Sequence, residues 1–306
     1  MSHLVSVRPR LSRSLDQTRR FLPVIALSAQ MAAGLMAATQ PSSDSLLFYN
    51  AITGSGVTGR LDPSGNFTTL KTYSNFSKGW SQAVSTPSGM FFYNGLSGTS
   101  GLGTIDAGGN FQNVNNESNF SKGWTQVVST PSGILFYNAT TGSGATGRLD
   151  ASGSFTTLKT YSNFSKGWTQ VVSTPSGIFF YNGFSGTSGL GTIDAAGNFQ
   201  TLKTYTGFSK GWTQVVSTPS GMLFYNATTG SGATGRLDAS GSFTTLKTYS
   251  NFSKGWTQAV GTPGGILFYN AITGSGATGR LDASGNFTTL KTYDNFSKGW
   301  SLIATP

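Results

Sequence analysis

The sequence predicts an all-β protein, a six-bladed β-propeller of 44-residue, four-stranded blades closed by a composite blade from both termini. Three observations carry this. The triplet FYN recurs every 44 residues, at Tyr49, Tyr93, Tyr137, Tyr181, Tyr225 and Tyr269. The segment FSKGW recurs with the same spacing and contains all six tryptophans. The repeats, starting near 46, 90, 134, 178, 222 and 266, open on the second strand of a blade (residues 46–49) and end on a first strand (residues 300–304). Those two fragments complete one another, and inserting the last strand beside the first three leaves no unpaired sheet edge at the seam.

The unit spanning residues 120–163 shows each element. WTQVVS (124–129) mixes aromatic and β-branched residues and stops at Pro131-Ser132-Gly133, as a strand ended by a tight turn does. ILFY (134–137) is short and wholly apolar, which suits a strand buried on both faces. NATTGSGA (138–145) is loop, and extended structure resumes at residues 146–149. Asp150-Ala151-Ser152-Gly153 turns the chain into FTTLKTY (155–161), whose period-two alternation predicts a half-exposed outer strand. Glycine supplies 42 of 306 residues, about twice the ~7% average, in keeping with a turn-dense all-β chain.

Residues 1–40 lie outside the repeat, and residues 41–306 form a single closed repeat domain. Arg8, Arg10, Arg13, Arg19 and Arg20 precede an apolar run (21–38) ending in small residues, the layout of a secretory signal. Thr18-Arg19-Arg20-Phe21-Leu22 resembles the twin-arginine type, with Pro23 standing where that pattern wants an apolar residue. The expectation is a secreted or extracytoplasmic protein, with an uncleaved membrane anchor as the alternative. Without cysteine, the chain has neither disulfides nor thiolate metal sites. Of the formal charge of +10, the leader carries five arginines against Asp16. The remaining basic residues are dispersed in a regular ring and form no stripe, which argues against nucleic-acid binding.

The chemical inventory does not suit an enzyme. The one histidine is His3, in the leader, and the carboxylates come one per blade at Asp62, Asp106, Asp150, Asp194, Asp238 and Asp282, plus Asp44, Glu117 and Asp294. Each repeated Asp opens a D-x-x-G turn, where its side chain bonds backbone N–H groups two residues on, and the further acidic ligands of a calcium loop are missing. No metal site and no cofactor is expected.

Up-and-down topology puts the TPSG and DASG turns on one face of the ring. The long loop (NATTGSGATG) and the blade-to-blade connection (SNFSKG) fall on the other. This second face is the candidate binding surface. Its candidate ligand-binding residues are Asn75, Ser77, Lys78 and Trp80; Asn119, Ser121, Lys122 and Trp124; Asn163, Ser165, Lys166 and Trp168; Ser209, Lys210 and Trp212; Asn251, Ser253, Lys254 and Trp256; and Asn295, Ser297, Lys298 and Trp300. They offer donors, acceptors and an indole platform. The competing reading packs the tryptophans between blades and leaves the lysines solvated.

With FSKGW, VVSTPSG, FYN and LDASGNF in hand, the repeat resembles the tachylectin-type β-propeller lectins. The resemblance spans the whole repeat region and implies that N-acetylated sugars bind between adjacent blades at the long-loop face. It points to the connections, residues 75–80 and their equivalents. Blade number and the NATTGSGATG loop depart from the family pattern. Blades one, three, five and six share TGSG and GRLD, whereas two and four share SGTSGLG and GTID, so the order is A-B-A-B-A-A. The expected function is therefore a secreted, multivalent carbohydrate-binding protein without catalysis, whose partners are glycans of a cell surface or matrix. The alternative is a protein-interaction or structural scaffold without a sugar site.

Overall fold

The structure is a computed structural model that describes residues 44–306. The leader and its proposed signal lie outside the described residues. Within them, strands numbered β1 (Ser45–Tyr49) to β24 (Leu302–Ala304) form six four-stranded antiparallel sheets, one per repeat. The first sheet takes β24 beside β1, through the pairs Leu47↔Ala304, Phe48↔Ile303 and Tyr49↔Leu302, so the composite blade is observed.

The second strand of each blade explains the packing. In blade two it is Gly89–Asn94, and its side chains alternate to opposite faces as a pleated strand requires. Met90 and Phe92 pack with Leu47, Tyr49 and Trp80 toward blade one. Phe91 and Tyr93 pack with Ile134 and Phe136 toward blade three. FYN-type strands are wholly apolar because both of their faces are inter-blade core.

Two elements differ from the sequence reading. The inner strand of blade three runs Gln126–Thr130, so it starts two residues after Trp124. Before pairing begins, the Trp124 N–H donates to the Tyr93 hydroxyl of the preceding blade at 3.4 Å. The outer strand Phe155–Tyr161 does not alternate; its half-buried residues are Phe155, Leu158 and Tyr161, three apart. A β-bulge between Thr146 and Gly147 inserts one residue and re-phases the strand. Gly147 is required there, since a Cβ would lie 2.1 Å from the Phe155 ring and 2.6 Å from the Thr156 carbonyl oxygen.

Blades are tied to one another by side-chain hydrogen bonds to the neighbouring backbone. Thr58 donates to the Gly109 carbonyl at 2.8 Å, and Arg60 to the Ala107 carbonyl at 2.9 Å. The Tyr73 hydroxyl donates to Gly109 as well and accepts from the Phe111 N–H at 2.8 Å. Across the seam, Thr278 and Tyr293 repeat this on Gly65, and the Phe67 N–H donates to Tyr293 at 2.8 Å. Among the described residues, one buried hydroxyl, Ser188 Oγ, has no partner.

Two outcomes follow. Deleting residues 299–306 removes β24 and Trp300, which packs with Phe48 and Tyr269 in the seam core. Losing a buried tryptophan alone costs about 3–5 kcal/mol, a large part of a typical stability of about 5–15 kcal/mol. The truncated chain is expected to lose its cooperative thermal transition or to associate through the bared edge of β1; an unchanged midpoint in a monodisperse monomer would show that the seam contributes nothing. Conversely, Ser188→Ala removes an unpaired buried hydroxyl and should raise stability by about 1 kcal/mol, read from denaturant midpoints.

Candidate functional site

The connection between blades is shaped by one tyrosine. Tyr225 is fully buried, yet its hydroxyl reaches out of the core to donate to the Ser253 carbonyl at 2.7 Å and accept from the Trp256 N–H at 3.4 Å. The same pair of bonds joins Tyr49 to Ser77 and Trp80, at 2.7 and 3.3 Å. The long loop is fixed against the connection by Phe252 N–H to Gly230 carbonyl at 3.0 Å and Gly255 N–H to Ala227 carbonyl at 2.8 Å. Gly230 has φ +74, and a Cβ there would sit 2.3 Å from the Phe252 carbonyl oxygen, so only glycine lets the two segments meet.

This geometry opens clefts between blades on the long-loop face. The cleft at the junction of blades five and six holds about 710 Å³ and brings together Asn251, Ser253, Lys254 and Trp256 with Asn270, Thr273, Ser275, Thr289 and Thr292. Its counterpart between blades four and five, about 620 Å³, takes Ser209, Lys210 and Trp212 with Thr229, Ser231, Thr245 and Thr248. Both end in A-type blades. The clefts ending in B-type blades are smaller. Between blades one and two, about 370 Å³ is lined by Asn75, Ser77, Trp80, Asn113 and Asn116. Between blades three and four, about 340 Å³ is lined by Asn163, Ser165 and Trp168. Lys78 and Lys166 line neither. Asn119, Ser121, Lys122 and Trp124, and likewise Asn295, Ser297, Lys298 and Trp300, occupy the equivalent connections at the other two junctions.

The predicted residues thus assemble, with a division of labour. The tryptophans are chiefly core: Trp80 is 7% exposed and Trp256 9%, each tilted against a phenylalanine at 5.9 and 6.0 Å. Their rings are cleft floors. None of the six indole N–H groups donates to an acceptor among the described residues, and none is sealed from solvent, so each is free to meet a ligand. The six connection lysines are exposed and make no hydrogen bond or ion pair. The threonine walls from the outer strands escaped the sequence reading, because FTTLKTY reads as a half-exposed outer strand whose polar side chains meet only solvent. Also missed were the exposed apolar residues Ile52, Leu96, Phe184 and Ile272 at one shared position in the long loop. Their signal was available: four of six repeats place a large apolar residue inside a stretch of glycine, serine and threonine.

The six turn aspartates stand on the other face. Asp62 accepts from the Ser64 and Asn66 N–H groups at 2.9 and 2.8 Å and from the Asn66 side chain at 2.8 Å. The Asn66 side-chain bond, helped by the backbone, holds the carboxyl below its ordinary value of 3.8. No group of three His, Cys, Asp or Glu side chains suited to a metal ion occurs among the described residues.

No protein-family model matches the chain, and no curated protein matches it significantly. Solved structures do. A periplasmic gluconolactonase of Pseudomonas aeruginosa is 16% identical over 86% of this chain and 99% of its own, with TM-score 0.56. A Bacteroides uniformis protein provisionally described as a 6-phosphogluconolactonase is 11% identical, covering 85% of this chain and 98% of its own, with TM-score 0.60. A Lactobacillus plantarum protein is 13% identical over 85% and 98%, with TM-score 0.57. At such identities the likeness is one of propeller fold.

The hydrogen-bonded groups predict a pH window. Burial raises the six FYN tyrosines, such as Tyr49 and Tyr225, above 10.0, partly offset by bonds from the connection N–H groups. The folded state therefore keeps these protons to higher pH than the unfolded chain, and their contribution, full below about pH 10, is lost as pH rises through the folded values. The lowered aspartates act in the opposite sense: their contribution is present above about pH 4 and lost as pH falls. Thermal midpoints should be flat from about pH 5 to 9 and decline on both sides; a midpoint still level well above pH 10 would contradict the tyrosine account.

Proposed function

We propose that the chain is an exported, multivalent carbohydrate-binding protein without catalysis. One observation carries the reading: the same cleft recurs between blades, with an indole floor whose N–H has no protein acceptor and walls of amides and hydroxyls. Sugars present hydroxyls at their rims and C–H faces to aromatic floors, so a half-polar cleft over a ring is complementary to them. The tachylectin-type rhythm of the repeat supports the same reading and favours N-acetylated sugars. The names of the fold neighbours raise a lactone-hydrolysing alternative. Asp294, in the five–six cleft, is the single carboxylate in the four clefts, and no histidine is among the described residues to partner it.

Shallow clefts of this kind suit weak binding, on the order of millimolar for a monosaccharide. Several on one rigid face make later contacts with a polymeric glycan intramolecular, for avidity gains of roughly 10² to 10⁴. The expected outcome is retention of the purified chain on immobilised amino-sugar polymer and release by free sugar. Thr245→Trp and Thr289→Trp fill the two large clefts from exposed positions without touching core. Each alone should weaken retention several-fold, and both together should reduce it far more. Folded protein that passes straight through the resin would sink the reading in favour of a scaffold. Calorimetry should find two classes of site, since A- and B-type clefts differ in size and in the presence of lysine; one uniform class would mean that the long loop makes no ligand contact.

A further inference from the structure

We propose that the long-loop face docks on an anionic lipid bilayer, with Ile52, Leu96, Phe184 and Ile272 as its inserting points. This does not depend on the sugar reading. These side chains are 83%, 90%, 84% and 77% exposed, against 39% and 46% for Val114 and Leu202, the other exposed large apolar residues among those described. Each sits two residues after the Asn of FYN, and its own N–H donates to that Asn side chain at 2.9, 3.0, 2.9 and 2.9 Å. The Asn carbonyl in turn accepts from the loop glycine, Gly54 in blade one, at 2.9 Å. The points are thus held outward by a locked turn, so insertion orders nothing that was loose.

Their arrangement selects the occupant. They occupy the same loop position in blades one, two, four and six of a closed ring, which sets them at one height around it, three of them on the consecutive blades six, one and two. A protein partner needs a contiguous apolar core patch. Separate coplanar points with polar clefts between them fit a plane that each can enter alone. The charge is complementary to anionic headgroups. Each connection lysine lays its stem on the loop of the same blade: a Cβ on Gly54, Gly98 or Gly274 would be 3.4, 3.2 or 3.3 Å from Cγ of Lys78, Lys122 or Lys298. Those ammonium groups are exposed and unpaired. Against six such lysines, Asp294 is the one acidic residue in the long loops and connections. The six turn aspartates lie on the far face.

The test is co-sedimentation of the full chain with vesicles of phosphatidylcholine alone and of phosphatidylcholine with phosphatidylserine. Binding is expected to require phosphatidylserine and to fall with added salt. The combined variant Ile52→Ser, Leu96→Ser, Phe184→Ser, Ile272→Ser should lower partitioning at least a hundredfold, and Leu96→Ser alone roughly tenfold. Lys78→Gln, Lys122→Gln and Lys298→Gln together should remove most of the preference for the anionic vesicles. All variants keep the leader, so binding left undiminished by the serine substitutions would not come from the loop tips and overturns the proposal. Equal binding to both vesicle types, or none to either, overturns it too. Loop-tip-dependent dimerisation in sedimentation velocity, competing with vesicles, would assign the face to a second copy of the chain. Unchanged thermal midpoints are expected for every variant, because each altered side chain is solvent-exposed.

Discussion

The buried FYN tyrosine is the constraint on which the rest depends. Its ring belongs to the core between blades, where Tyr225 meets Phe252 and Phe268 edge-on at 6.1 and 5.8 Å. Its hydroxyl needs partners once buried, and it finds them in the backbone of the connection to the next blade. Each such bond contributes about 0.5–1.5 kcal/mol net, whereas stripping the partners would leave a buried carbonyl and N–H unmet at about 1–3 kcal/mol. The consequence is positional: the Ser-Lys-Gly-Trp segment can take only one path. That path sets the indole across the junction as the cleft floor, brings the loop glycine under the phenylalanine carbonyl, and lifts the lysine to the surface.

Much of this architecture was legible because the repeat declares it. Periodicity gave blade number, phase gave the composite blade, and the apolar FYN run gave a strand buried on both sides. Two features were hidden, for physical reasons. A β-bulge changes which residues face inward without changing composition, so the spacing of Phe155, Leu158 and Tyr161 looked like ordinary alternation until Gly147 was seen to fit no side chain. The cleft walls were hidden because threonines on an exposed outer strand become walls only once the next connection folds over them. The candidate residues Asn, Ser, Lys and Trp were found together, since they share one short segment, but sequence could not say that Lys254 faces a cleft while Lys78 does not.

Blade duplication explains near-identity cheaply, so the informative positions are those where copies diverge. Blade two replaces KTY by Asn115-Asn116-Glu117, and with it the outer tyrosine that both donates to the next blade's turn glycine and accepts from its phenylalanine N–H. Here the two roles are divided. Asn115 donates to the Gly153 carbonyl at 3.1 Å, and Glu117 accepts from the Phe155 N–H at 3.2 Å. The hydrogen bonds survive a change of every side chain involved. What is kept is therefore the satisfaction of two buried backbone groups, as expected where an unpaired one costs more than a paired one contributes.

Measured by the same standard, the long-loop face is where divergence is uncompensated. Thr58 of an A-type blade donates to a neighbouring carbonyl, while the matching Leu102 of a B-type blade packs instead, and the clefts differ about twofold in volume between the two types. The loop position of Ile52 is Leu96, Thr140, Phe184, Thr228 and Ile272 in the other blades, with no partner changing to match. Positions tied to the core vary too, as Leu46, Met90 and Ile134 do, but only among apolar residues that stay buried, whereas the loop position varies while exposed. Its variation is not held by packing, and it lies on the face that carries the clefts, the unpaired indole N–H groups and the unpaired lysines.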